Sequence, residues 1–275
     1  MFLQCGNFNL SLEYPLIMGI VNVTPDSFFD GGRLVSHQAA FDRALQLMDE
    51  GAHILDVGGE STRPGASLVS GDEEMRRILP LVESLSNRNI PVSVDTHKPE
   101  VMRAAIKAGA SMINDINAMQ TEGALEIVAS SSVAVCLMHK QGDPQTMQTD
   151  PQYRDVVAEV MDFLKARVEI ALEAGITRNR LVIDPGFGFG KNFDHNVELL
   201  HRMDHFKELG IPLLAGLSRK SMLGKITGRD VADRLAASIT AAVLAVLKGA
   251  KIIRVHDVKA TKDAFAVIQA IGEAR

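Results

Sequence analysis

Cysteine is nearly absent: the 275 residues hold two, Cys5 and Cys136, far apart in the chain, and Cys136 lies in the apolar run VAVCLMH where a buried thiol belongs. A disulfide framework is excluded, and a reducing cytoplasm is the expected location. A basic excess is also absent. Lys and Arg number 29 against 34 Asp and Glu, a net charge of −5 with an isoelectric point near 5.9, so the chain lacks the electrostatic footprint of a nucleic-acid binder. Any anion it takes must be held by local cations. The apolar stretch between Arg234 and Lys248 is Ala-rich and too short for a membrane span. The segment from Met1 to Leu16 has no basic region followed by an apolar core, so no secretory signal is expected. Linker-like tracts, low-complexity segments and internal repeats are missing too, and residues 1–275 read as one domain.

What is present is an ordinary globular composition, 46% hydrophobic and 23% charged, enough for a large core. Eight short, β-branched apolar runs recur along it: LIMGIVN to Asn22, HILDVGG from His53, IPVSVD to Asp95, SMINDI from Ser111, VAVCLMH to His139, RLVIDPG from Arg180, PLLAGLS to Ser218 and KIIRVHD to Asp257. Helix-like segments separate them. Ser70-x-x-Glu73 reads as a capping box before Met75, Ile78, Leu79, Val82 and Leu85, Pro99 suits a first helical position, and Gly51, Gly109, Gly175, Gly210 and Gly249 fall where helices should stop. Nearly continuous apolar strands alternating with amphipathic helices argue for parallel strands wrapped by helices. A single (β/α)8 TIM barrel is the economical arrangement, with an open doubly wound sheet as the structural alternative.

In such a barrel the strand ends point into one mouth. Asn22, Asp56, Asp95, Asn114, His139, Asp184, Ser218 and Arg254 mark those ends. The carboxylates of Asp95 and Asp184 and the amide of Asn114 suit the donor-rich edge of a flat heterocycle. Met138 and Phe189 fit either the faces of such a ring or ordinary core. Lys220, Arg254, His256 and Arg63 supply cations for an anion, most plausibly phosphate or pyrophosphate, whereas Arg219 reads as the partner of a neighbouring carboxylate. Ser218-Arg219-Lys220-Ser221 opens a helix whose free N–H groups suit a carboxylate. The run GFGFGKN, residues 186–192, has neither the spacing of a phosphate-binding P-loop nor that of a dinucleotide fold.

These residues sit in motifs that resemble, in order, those of the bacterial dihydropteroate synthases: MGIVNVTPDSFFDGG, DVGGESTRPGA, SVDTHKPEV, INDI, CLMHKQGDPQTMQ, IDPGFGFGKN, GLSRKSMLG and IIRVHD. The likeness runs from about residue 15 to residue 265. It implies an enzyme that joins 6-hydroxymethyl-7,8-dihydropterin pyrophosphate to 4-aminobenzoate and releases pyrophosphate. It also implies a pterin pocket of Asp95, Asn114, Asp184 and Lys220 walled by Met138, Gly216 and Phe189. By the same resemblance Asn22 contacts Mg2+, and Thr62, Arg63, Arg254 and His256 surround the pyrophosphate. Phe28, Arg63, Pro64, Lys220 and Ser221 would meet 4-aminobenzoate, and sulfonamides should compete there. Phe29, Lys140 and the pair Asn117-Ala118 depart from the expected pattern without removing a functional group.

The implied chemistry needs no nucleophilic side chain. Pyrophosphate departure would run ahead of amine attack, with Asp95 and Asp184 stabilising charge on the ring and Mg2+, Arg254 and His256 neutralising the leaving group. Arg63 and Lys220 complete the expected catalytic set. The loops NVTPDSFFDGGR and ESTRPGA are expected to close over the reaction. The apolar helix from about Asp233 to Gly249 is expected to bury one side in a homodimer. A methyltransferase using methyltetrahydrofolate, a noncatalytic pterin binder and a metal-dependent hydrolase are the competing readings.

Overall fold

A computed structural model describes residues 1–23, 33–60, 69–143 and 146–273, with the side chains of 33–36 and 273 excepted. A hairpin of β1 (Phe2–Cys5) and β2 (Phe8–Ser11) leads into eight parallel strands that follow one another around a ring: β3 (Leu16–Asn22), β4 (Ile54–Gly58), β5 (Val92–Asp95), β6 (Met112–Asp115), β7 (Ala134–Met138), β8 (Leu181–Asp184), β9 (Leu214–Ala215) and β10 (Ile252–Val255). Strand β10 pairs with both β3 and β9, and a parallel bridge from Ile183 to Leu213 joins β8 to β9, so the ring closes. The eight apolar runs are the eight ring strands, and the TIM barrel expected from them is the observed architecture.

Helices cover the outside: α1 (Arg33–Glu50), α2 (Gly71–Ser86), α3 (Pro99–Lys107), α4 (Ala124–Ala129), α5 (Val156–Glu173), α6 (Phe193–His201), α7 (Ser221–Thr227), α8 (Leu235–Leu247) and α9 (Val258–Glu273). Their punctuation follows local chemistry. The Ser70 hydroxyl accepts the Glu73 N–H and caps α2, and Pro99 opens α3 without a lost donor. Gly51, Gly109, Gly175, Gly210 and Gly249 all have positive φ, the conformation in which chains leave helices.

Alternation along each strand sorts the interior from the helix layer. In β4, Leu55 and Val57 join the outer core with helix residues such as Ile78 and Leu81, whereas Ile54 and Asp56 face the barrel axis. Asp56 thus sits at the middle of β4, two residues before its end, and not at the strand end that the sequence pattern suggests.

The hairpin is not among the eight apolar runs. Strands β1 and β2 pair antiparallel, and Leu3 and Cys5, with Leu12, pack on Leu16, Met18, Ile54, Met112, Ala134, Cys136, Val182, Leu214 and Ile252, the inward residues near the strand starts. The hairpin closes the end of the barrel opposite the mouth. Gly6-Asn7, between two alternating runs, is its signal in the sequence. Gly6 has φ +59, and a β-carbon there would stand 3.1 Å from the Ser111 Cα.

Candidate active site

Arg254 leaves β10 and crosses the interior to the acids of β4 and β5. Its Nε donates to Asp56 Oδ2 at 2.6 Å and its Nη2 to Asp95 Oδ2 at 2.9 Å. Asn114, on β6, donates its amide N–H to the same Asp56 oxygen at 3.2 Å. One cation therefore ties together carboxylates on adjacent strands. The acidic and basic side chains do share one mouth, but they interleave there and do not divide into opposite walls, because two buried carboxylates this close need a cation between them.

Burial dominates the acidities. Desolvation raises the Asp95 carboxyl to about 7; Arg254 opposes the shift, while the charges of Asp56, Glu74 and Asp115 add to it. Asp184 is raised as well, by burial first, against the Gly186 N–H bond and the charges of Lys220, Lys191 and Arg254. Desolvation works against the Arg254 charge, but Asp56 and Asp95 more than offset it, and the guanidinium is held above its ordinary range. Asp115, beneath the loop after β6, is pushed up to about 6 by burial although its carboxylate accepts the Asn117 and Met119 N–H groups at 2.7 Å each. Asp56 is wholly buried, with Oδ1 lacking a partner among the described residues.

Asp184 closes β8 on the other side of the mouth, in register with the buried Met138 of β7, and its Oδ1 accepts the Gly186 N–H at 2.7 Å. Phe189 follows in the same loop and lies under Lys220, whose Nζ stands 4.4 Å from the ring centroid. Lys220 is the residue before α7, and Ser221 begins that helix, exposed. Gly216 lines open space: a β-carbon built there meets nothing within 4 Å. Asn22 ends β3 opposite Gly58, itself opposite Asp95, and a β-carbon on Gly58 would stand 3.9 Å from both Asn22 Oδ1 and Asp95 Oδ2. The absence of a side chain at position 58 lets the Asn22 amide and the Asp95 carboxylate share a corner.

His256 holds Ser218 twice, through its backbone N–H at 3.2 Å and its ring Nδ1 at 3.0 Å. Arg219 is engaged by Asp257 in a two-toothed pair at 2.9 and 2.7 Å, the partner role read from the sequence. Phe28, Thr62, Arg63 and Pro64 lie outside the described residues, as does Phe29. Lys140 is half-buried at the exit of β7, its pKa lowered by burial against the pull of Asp143 and Asp115.

Three features go beyond the sequence reading. Asp56 has no role in the sequence pattern except to mark a strand, although a charge inside the apolar strand ILDVG is a signal of an interior partner. Lys98 is shared by Glu60 and Glu74, both at 2.5 Å, and Glu60 also accepts the Val69 N–H at 3.0 Å, fastening the two flanks of residues 61–68. Lys191 is fully buried, which no local pattern announces.

Among the described residues no three His, Cys, Asp or Glu side chains are grouped to hold a metal ion. The donor set nonetheless suits one hard cation. Mg2+ is commonly bound through one or two protein oxygens together with substrate phosphates and water, and the Asn22 amide oxygen beside Asp95 offers such a donor.

A model of the family described as pterin binding enzyme matches residues 18–256. The dihydropteroate synthase of Escherichia coli strain K12 is 49% identical over 263 residues, covering 95% of this chain and 93% of the relative. Among solved structures, Xanthomonas albilineans dihydropteroate synthase with 4-aminobenzoic acid superposes with a TM-score of 0.94 at 51% identity, covering 100% of this chain and 99% of that one. Yersinia pestis dihydropteroate synthase in a sulfonamide drug complex gives 0.94 at 45% identity, with full coverage of both chains. A family match over residues 18–256, with relatives about half identical over nearly the whole chain, places this chain in the pterin-binding enzyme family, as one of the dihydropteroate synthases.

Proposed function

We propose that the mouth of this barrel divides its work between a pterin wall and a pyrophosphate corner, in the service of the family reaction. The chain condenses 6-hydroxymethyl-7,8-dihydropterin pyrophosphate with 4-aminobenzoate to give 7,8-dihydropteroate and pyrophosphate. The observation that carries the residue assignment is the Asp56–Arg254–Asp95 bridge, with Asn114 bonded to it and Asp184 across the mouth.

Asp95, Asn114 and Asp184 receive the amino and ring N–H groups of the pterin, Met138, Gly216 and Phe189 border its faces, and Lys220 reaches its edge over Phe189. A carboxylate raised to about 7 by burial gains most from a ligand that brings N–H donors into the same dry pocket. Ionised Asp95 and Asp184 then favour positive charge on the ring as the C–O bond to pyrophosphate lengthens, ahead of attack by the arylamine.

Arg254 has two tasks. It bridges Asp56 and Asp95 and opposes the burial that pushes the Asp95 carboxyl up, and the guanidinium N–H groups outside those two bonds face the departing anion together with His256, Thr62 and Arg63. Asn22 would hold Mg2+, which when bound supplies charge neutralisation to the pyrophosphate. Phe28, Arg63, Pro64, Lys220 and Ser221 receive 4-aminobenzoate, and sulfonamides compete for that place.

Residues 1–275 act as one domain, in the cytoplasm. No helix among the described residues is long and apolar enough to cross a membrane. The second copy in a homodimer covers α8 and α9, where Leu244, Leu247, Val267 and Ile271 are 42, 64, 58 and 71% exposed. Mass measured in solution tests this. The decisive assay for the activity is pyrophosphate release that requires both the pterin pyrophosphate and 4-aminobenzoate; release with either one alone would refute the assignment.

A further inference from the structure

We infer that Lys191 is the positioning residue for the pterin wall: its buried ammonium ties the loop Gly186–Gly190 to the end of β7 and so fixes both Phe189 and the backbone N–H that holds Asp184. This rests on the pterin reading above.

The run GFGFGKN is no phosphate loop, and its lysine does not face a ligand. Lys191 is 1% exposed, and its Nζ lies 3.0 Å from the Gly186 carbonyl oxygen, 3.0 Å from that of Phe189, 3.4 Å from that of His139 and 2.9 Å from the His139 Nδ1. An ammonium carries three hydrogens, and here every direction offers an acceptor. His139 can only accept at Nδ1 while neutral, and burial, followed by the Lys191 charge, lowers it to about 3. Burial lowers the Lys191 ammonium to about 7, against the Asp184 charge and with the Lys220 charge, so the protonated form persists only because it satisfies several acceptors at once.

The acceptors explain why a cation is needed. Gly186 and Gly190 have positive φ, and a β-carbon on either would overlap a carbonyl oxygen, of His139 and of Gln141 respectively. The loop is therefore pressed against the exit of β7 with carbonyl dipoles converging on one point. Without a donor among them they repel, and the loop lifts. What it carries would move with it: the Gly186 N–H bonded to Asp184 at 2.7 Å, and the Phe189 ring under Lys220. Asn196 of α6 steadies the far side, accepting the Gly188 N–H at 2.7 Å and donating to the Lys191 carbonyl at 3.0 Å. The Lys191 charge also acts on Asp184 across the loop, favouring its ionised form.

The test is calorimetric titration of 6-hydroxymethylpterin into the full chain as wild type, Lys191→Met and Lys191→Gln. Lys191→Met is expected to weaken binding at least tenfold, and Lys191→Gln, which keeps an amide donor, to fall between. Arg180→Met serves as the control, since Arg180 is also buried and donates to the Val128 and Val133 carbonyls away from the mouth; it should lower the melting temperature and leave pterin affinity within twofold. In a Phe189→Ala background the Lys191→Met loss should shrink to threefold or less, because part of what Lys191 positions is gone. The inference is overturned if folded Lys191→Met binds within twofold of wild type, if Lys191→Gln binds no better than Lys191→Met, if the loss is undiminished in the Phe189→Ala background, if Arg180→Met causes the same loss, or if both Lys191 variants fail to fold. Wild type that does not bind the pterin refutes the functional reading instead.

Discussion

The two ends of this barrel are built from the same strands and obey opposite rules. At the closed end, Leu3, Cys5 and Leu12 meet inward residues that are wholly apolar, and the Cys5 thiol, pushed up to about 12 by burial, still finds the Ser111 carbonyl oxygen. At the mouth, two residues further along the same strands, the inward positions are Asp56, Asp95, Asn114, Asp184 and Arg254. Among the described residues Asp56 keeps an oxygen without a partner there, and so does its register neighbour Ser93. Fold stability is concentrated at one end, and at the other the unfavourable burial of charge is retained for a ligand to complete.

The largest blow to this contrast should come from Arg254→Met. Removing the cation leaves Asp56 and Asp95 buried together, and breaking such a pair costs about 4 kcal/mol. Urea denaturation should show that loss, and pterin addition should fail to restore it; a variant as stable as wild type would mean the mouth is not under electrostatic load. Leu3→Ala strikes the other end. A cavity under the hairpin is expected to lower stability by about 3 kcal/mol while kcat/KM stays within twofold. A large kinetic effect there would show that the ends are not independent.

Asp95→Asn sharpens the comparison from the catalytic side. One oriented charge lost from a dry site is expected to lower kcat/KM about 100-fold, roughly 2.7 kcal/mol. Activity within threefold of wild type would contradict its role.

Proton uptake offers the mildest probe. Asp95 is raised from 3.8 to about 7, so the folded chain retains a proton that the unfolded chain releases. That contribution to stability is complete below about pH 4 and disappears as pH climbs to about 7. Pterin affinity should run the other way, gaining about fivefold between pH 6 and pH 7 as the carboxylate ionises. Asp95→Asn should flatten this profile. At the strand starts His53 shifts the other way, lowered by burial and then by the Lys262 charge.

The sequence made most of the barrel legible because an interior strand must be apolar on both faces and a helix end must solve its unpaired backbone groups, and both demands leave marks on neighbouring residues. Asp95, Asn114 and Asp184 were legible on similar grounds: a polar group that closes a buried apolar run must find its partner where the strand surfaces. The hairpin was missed, since four-residue strands carry little periodicity and Gly6-Asn7 was the sole local mark of its turn. The interleaving of charges was not legible at all. Whether Arg254 faces a phosphate or reaches across to Asp56, 198 positions away, is decided by barrel closure, which no local pattern encodes. Lys191 hid behind the same barrier, its acceptors being backbone carbonyls that look identical in every sequence.

The hairpin plug has a consequence for how the molecule is made. Leu3 and Leu12 emerge from the ribosome long before Ile252 and Leu214, yet these are among the side chains they bury against. Until synthesis reaches the last strand, that greasy ribbon has no finished seat. It is the segment for which a chaperone would compete during translation, and the one whose docking reports that the ring has shut.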